Sequence, residues 1–92
     1  MILLDDVHER EAVLEYDAGV PRAMANRRAW LEVMGVDMPY YADTVVFAGS
    51  PANADTIQAA KDWIKERGYT ADDVALKKGA NVVYVIAKRD LP

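Results

Sequence analysis

The segment from Gly49 to Asn53 is the part of this sequence whose residue types could bind a small ligand. It reads Gly-Ser-Pro-Ala-Asn and lies between a predicted strand and a predicted helix, where backbone N–H groups can receive a phosphate or a carboxylate. It lacks the second glycine and the lysine of a phosphate-binding loop, and Ser50 or Asn53 would also serve as an ordinary helix N-cap. Gly49, Ser50 and Asn53 are therefore a candidate anion site for a phosphorylated ligand, with plain capping as the alternative.

This chain contains few residues of the types that catalyse reactions. His8 is the only histidine and there is no cysteine. The lack of cysteine excludes a thiolate nucleophile and a cysteine-ligated zinc site, and one histidine cannot form a His pair or a His-rich metal cluster. We also expect no Ser-His-Asp triad. Asp5 and Glu9 lie near His8, but lone carboxylates on an exposed helix do not make a hydrolytic site. We predict no enzyme activity, no catalytic residue, no metal and no cofactor.

Negative charge is concentrated at the start of the chain. The formal net charge is −4, and residues 1–20 alone carry six acidic residues and one arginine. Such a surface could dock on a basic groove of another protein. Tyrosines are enriched at interfaces. Arg27 falls inside the apolar stripe of the second helix, so it must lay its stem along the core, pair with a carboxylate or face a partner. The predicted partner-binding residues are Asp5, Glu9, Glu11, Glu15, Arg27, Tyr40 and Tyr41.

A second hypothesis concerns DNA. The segment around Gly19 could form a helix-turn-helix, in which the helix after Pro21 carries Arg22, Arg27 and Arg28. The acidic first helix would then lie near the phosphate backbone, and the chain as a whole lacks a basic footprint. A DNA-binding regulator is therefore the alternative, and we do not expect nucleic acid to be the main partner.

The N-terminal elements that would position these residues form a helical hairpin over residues 1–36. Good helix formers and an apolar stripe predict a helix from Asp5 to Tyr16. Gly19 and Pro21 end it and begin the next helix, which runs to Met34 and is followed by Gly35. The predicted buried stripe of this second helix is Ala23, Trp30, Leu31 and Met34.

The sequence pattern of residues 44–88 predicts a β-α-β-β unit. A strand over 44–48 precedes a helix over 53–67, and two further strands over 74–78 and 82–88 are joined by a Gly-containing turn. The last strand is apolar on both faces, so we expect it in the middle of a mostly antiparallel sheet that is covered on both sides. The sheet has three strands, or four if residues 1–4 pair at an edge. The N-terminal hairpin or a second copy of the chain would cover the face opposite the helix, which leaves a homodimer open.

These features predict one α+β domain of 92 residues. No apolar run approaches the roughly 20 residues of a membrane span, and no signal peptide precedes the acidic residues, so we expect a soluble, cytoplasmic protein. Residues 14–22 resemble stretches of bacterial plasmid and prophage proteins, although so short a segment identifies no family. Our hypothesis is a non-enzymatic protein-binding module or modulator, such as an accessory or inhibitor protein of a bacterium or phage.

Overall fold

The computed structural model describes residues 1–38 and 43–91. Within these ranges the predicted order of a helical hairpin followed by β-α-β-β is confirmed, and a short edge strand makes the sheet four-stranded. The elements are β1 (Ile2–Leu3), α1 (Leu4–Tyr16), α2 (Arg22–Met34), β2 (Val45–Ser50), α3 (Ala54–Glu66), β3 (Val74–Lys78) and β4 (Val83–Ala87).

The two N-terminal helices begin and end where local sequence signals place them. At the start of α1 the backbone N–H of Leu3 donates to Asp6 Oδ2 at 3.1 Å, and two carboxylates in the first turn suit the positive end of the helix dipole. At the end of α2, Gly35 adopts φ 69° and its N–H donates to the carbonyl of Leu31. This left-handed conformation is one that glycine takes without steric cost.

The buried face of α2 differs from the predicted one. Ala25, Ala29, Trp30 and Met34 are buried, whereas Ala23 is exposed and Leu31 is 56% exposed. Small side chains at a helix contact allow the axes to approach closely, so the alanine row of α2 packs against α1. The helix is therefore rotated relative to the prediction. Arg27, predicted to lie in the buried stripe, is exposed instead.

The sheet has the strand order β1-β2-β4-β3, with every neighbouring pair antiparallel. As predicted, β4 lies between β2 and β3. The edge strand β1 pairs with the end of β2, where Ile2 lies opposite Ser50 and Leu3 opposite Gly49. Because β1 precedes α1 directly, this pairing anchors the start of the helical hairpin to the sheet.

Both faces of the sheet are covered by helices, and successive residues from Val82 to Val85 pack on opposite faces of the sheet. Val82 and Tyr84 join a cluster with the hairpin residues Val7, Leu14 and Trp30. Val83 and Val85 join the other cluster. That second cluster contains residues of α3 and its flanks, namely Ala60, Ile57, Trp63, Ile64 and Tyr69.

A row of aromatic side chains closes the α3 side of the sheet. The ring of Trp63 lies 5.8 Å from the ring of Phe47 and 5.8 Å from that of Tyr69, both in tilted arrangements. The guanidinium carbon of Arg67 sits 4.1 Å from the centre of the Trp63 ring. None of the helices in the described ranges has the length and apolar content of a membrane span.

Candidate functional site

The four predicted carboxylates of α1 do not share one environment. Asp5 and Glu9 are exposed on the outer side of the helix. Glu11 and Glu15 are half-buried and line a groove between α1 and α2, where Asn26 Nδ2 donates to Glu11 Oε2 at 2.8 Å. Half of the predicted acidic surface therefore faces solvent, and the other half borders the contact between the two helices.

Arg10 explains why the outer side of α1 keeps its negative charge. It is the only lysine or arginine among residues 1–20, and its Nε donates to Glu32 Oε2 of α2 at 2.6 Å. Arg28 Nε donates to Glu32 Oε1 at 3.1 Å. The hydrogen bonds from Arg10 and then Arg28 hold the pKa of Glu32 below its usual value. Because Arg10 is directed to α2, it does not neutralise the carboxylates on the far side of its own helix.

Arg27 forms an ion pair with the segment that follows α2. Its Nε and Nη2 donate to Asp37 Oδ1 and Oδ2 at 2.6 and 2.5 Å, a bidentate arrangement. The guanidinium beside Asp37 holds the pKa of that carboxyl below its usual value. Tyr40 and Tyr41, the other predicted anchors, lie outside the described residues.

The outer face of α2 carries an apolar surface that sequence reasoning missed. Met24 and Leu31 are 63% and 56% exposed. They lie in a shallow, mainly apolar groove of about 600 Å³. We call this the α2 groove; its lining residues are Gly19, Val20, Pro21, Met24, Arg27, Arg28, Leu31 and Asp37. The seven-residue spacing of Met24 and Leu31 was a usable signal, because it places both side chains on one helix face.

The groove between α1 and α2 is larger, about 810 Å³, and more polar. His8, Glu15 and Arg22 contribute to its lining. In the described part of the chain, no three histidine or acidic side chains come together in a way that could hold a metal ion. The carboxylates along this groove are Glu11 and Glu15 of α1 and Asp43, which precedes β2, and they do not form a converging ligand set.

The candidate anion site has a different local structure from the predicted turn. Gly49 and Ser50 belong to β2 and are buried, and only the residues after them leave the sheet. Asn53 caps α3: its Oδ1 accepts from the backbone N–H and from the hydroxyl of Thr56, each at 3.0 Å. A Cβ atom on Gly49 would lie only 2.9 Å from Thr56 Cγ2. Thr56 therefore packs closely against Gly49.

The arginines of the DNA hypothesis do not lie on one face of α2. Arg22 lines the groove between the helices, whereas Arg27 and Arg28 line the α2 groove. Arg27 and Arg28 are also ion-paired. A recognition helix presents its contacting side chains together toward the major groove. This arrangement gives the DNA hypothesis no support.

The exposed apolar groove thus lies on the helical hairpin, where Arg27, Arg28 and Asp37 border it. Comparisons with protein-family models, with curated proteins and with solved structures found no match to this chain.

Proposed function

We propose that this chain is a non-enzymatic protein-binding module whose helical hairpin docks on another protein, as an accessory or inhibitor protein of a bacterium or phage would. The observation that carries the proposal is the exposure of Met24 and Leu31 on the same face of α2, in the α2 groove. Single exposed apolar residues are common on protein surfaces, but an apolar groove rimmed by charged residues is typical of interaction sites.

The rim of the α2 groove supports the same function. Interfaces have an apolar centre, a polar edge and an enrichment in methionine and arginine. Here Met24 and Leu31 provide the apolar centre, while Arg27, Arg28 and Asp37 provide the edge. Removing two large apolar side chains from water on binding would supply a favourable free energy of about 1.5–3 kcal/mol for each side chain that becomes fully buried.

A second docking surface is the outer side of α1, as the sequence predicted. The inward direction of Arg10 favours it, because Asp5 and Glu9 remain on a face that this cation does not neutralise. A partner with a basic surface would be attracted to this face, and the attraction would weaken at high salt. The α2 groove and the α1 surface are on the same hairpin, so one partner could contact both.

Site-specific photo-crosslinking in the native cells tests the proposal. A photoreactive phenylalanine derivative replaces Leu31 in one variant, Glu9 in a second and Lys61 in a third. Lys61 is exposed on α3, on the other side of the sheet, and serves as the control. We expect one reproducible adduct from position 31 that excess unlabelled protein suppresses and that an added Met24→Ser substitution removes.

The position 9 variant distinguishes the two surfaces. An adduct from position 9 alone would move the docking site to α1. Equal adduct patterns from positions 31 and 61, or no adduct from positions 31 and 9, would contradict the proposed function.

A further inference from the structure

The α2 groove has a geometry that matches a second helix. Met24 and Leu31 lie seven residues apart, about two turns, and therefore point to the same side of α2. Arg27 and Arg28 occupy the turn between them. At about 100° per residue, one arginine lies on each side of the line that joins the two apolar side chains. The surface is thus an apolar row with a guanidinium on either flank, the pattern that an amphipathic helix meets when it lies in a groove.

Arg28 retains hydrogen-bonding capacity. Among the described residues, Arg28 makes one hydrogen bond, from its Nε to Glu32, so both of its terminal amino groups can still donate. Arg27 is engaged with Asp37. The residues that line the groove include two arginines and one aspartate. The carboxylate of Glu32, which pairs with Arg28, is shared with Arg10, so three arginines meet two carboxylates here and the surface keeps a positive balance on a chain whose formal net charge is −4.

We propose, resting on the protein-binding function above, that the α2 groove binds an acidic amphipathic helix of another protein. Apolar residues of that helix, spaced three, four or seven apart, pack on Met24 and Leu31. A carboxylate beside them accepts hydrogen bonds from the terminal amino groups of Arg28. Charge-assisted bonds of this kind fix the orientation of the helix as well as adding affinity.

Charge distinguishes this partner from a second copy of the chain. If two α2 helices paired antiparallel through the groove, Met24 would face Leu31 of the second copy, and each arginine would meet its own equivalent because each flank stays on its own side. A parallel pair would exchange the flanks and bring Arg27 of one copy beside Arg28 of the other. Either arrangement places guanidinium groups opposite one another, which is unfavourable at an interface. An acidic helix instead brings carboxylates to the same positions.

Synthetic peptides provide the test. The first is a blocked peptide of roughly 18 residues, about five helical turns, with leucines at helical spacing and glutamates on both flanks. The second has lysines in place of the glutamates, and the third is a scrambled version of the first. Fluorescence anisotropy measures the Kd of each for the full chain and for Leu31→Ser and Arg28→Gln variants. Val13→Ser on α1 and Lys61→Gln on α3 are the matched controls, since both residues are exposed.

The glutamate peptide is expected to bind the parent chain, and Leu31→Ser and Arg28→Gln should each weaken it about tenfold. Neither control should change its Kd by more than about twofold. The lysine peptide can reach the acidic side of α1, but its Kd should not respond to Leu31→Ser or Arg28→Gln. Backbone amide shifts on titration should be concentrated in residues 19–31, and circular dichroism verifies that each variant is folded.

Three results with the peptides would overturn this partner assignment. They are absence of binding by the glutamate peptide, equal binding by the scrambled peptide, and equal sensitivity of the lysine peptide to the two groove variants. A dimer in light scattering that Leu31→Ser converts to monomer would also overturn it, because a second copy would then occupy the groove. If an adduct still forms from position 31 in cells, the protein-binding function survives and only the acidic-helix partner fails.

Discussion

The contact between Gly49 and Thr56 allows a sharp test of how β2, β1 and α3 are joined. An alanine Cβ at position 49 would lie 2.9 Å from Thr56 Cγ2, and 3.5 Å from both Ile2 O and Leu3 Cδ2. The side chain of Thr56 cannot move away easily, because it is buried and its hydroxyl donates to Asn53 Oδ1. Turning Cγ2 aside would break that bond and weaken the cap of α3.

The expected loss of stability follows from two opposing effects. Overpacking a well-packed site costs about 1–3 kcal/mol. Replacing glycine with alanine in a compatible conformation recovers about 0.5–1 kcal/mol by restricting the unfolded chain. Gly49→Ala should therefore lower the free energy of unfolding by about 1–2 kcal/mol, and each kcal/mol lowers the Tm of a domain of this size by roughly 4–8 °C.

Thr56→Ser supplies the second arm of a double-mutant cycle. Serine lacks Cγ2 but keeps the hydroxyl that bonds to Asn53. In the parent chain, Thr56→Ser should lower the free energy of unfolding by about 1 kcal/mol, since a buried methyl group is lost. In the Gly49→Ala background it should cost nothing or stabilise, because it makes room for the new methyl group. The coupling free energy between the two substitutions in the double-mutant cycle should be about 1–2 kcal/mol.

Urea unfolding of the four proteins, followed by tryptophan fluorescence and far-UV circular dichroism, measures the cycle. Additivity within about 0.5 kcal/mol would show that the two side chains do not compete for space. A Gly49→Ala variant as stable as the parent would refute the reasoning at its first step.

Three further predictions concern the cap, the hairpin core and an acid-sensitive carboxylate. Asn53→Ala should lower the free energy of unfolding by about 1–2 kcal/mol in urea titrations, because it removes the acceptor at the start of α3. Trp30→Ala should lower the free energy of unfolding by about 3–5 kcal/mol, since Trp30 is 1% exposed, and a urea midpoint equal to that of the parent would contradict its core role. The backbone N–H of Thr70 and then the Arg89 guanidinium hold the pKa of Asp73 below its usual value. The ionised carboxylate of Asp73 therefore stabilises the fold above pH about 4, and this contribution is lost as the pH falls through the lowered pKa. Asp73→Asn should therefore reduce the drop in urea midpoint between pH 7 and pH 3, and the exposed control Asp90→Asn should leave that drop unchanged.

Local signals predicted most of the fold. The last strand is a continuous apolar run, so both of its faces needed to be covered, and this identified it as the centre of the sheet. Gly35 and Asn53 marked a helix end and a helix start through their own backbone and side-chain preferences. Each of these inferences depends on a few neighbouring residues, which is why it could be made without a structure.

The candidate site was predicted only in part. The acidic charge of α1 is a property of composition, so it could be read from the sequence, but which carboxylates remain exposed depends on Arg10 and Asn26. The α2 groove was missed for a related reason. Leucine is more hydrophobic than alanine, so Leu31 was expected to be buried, whereas close packing of the helices favoured Ala25 and Ala29.

The amino-acid sequence alone determined the α+β class, the order of the elements and the negative charge of the first helix, because these follow from periodicity, turn residues and composition within short windows. Tertiary structure decided which face of α2 is buried, and it placed Gly49 and Ser50 in a strand by pairing them with Ile2 and Leu3, more than forty residues earlier in the sequence. Both outcomes depend on which distant surfaces fit together, and the free energy of that fit is a property of side chains that are neighbours only after folding.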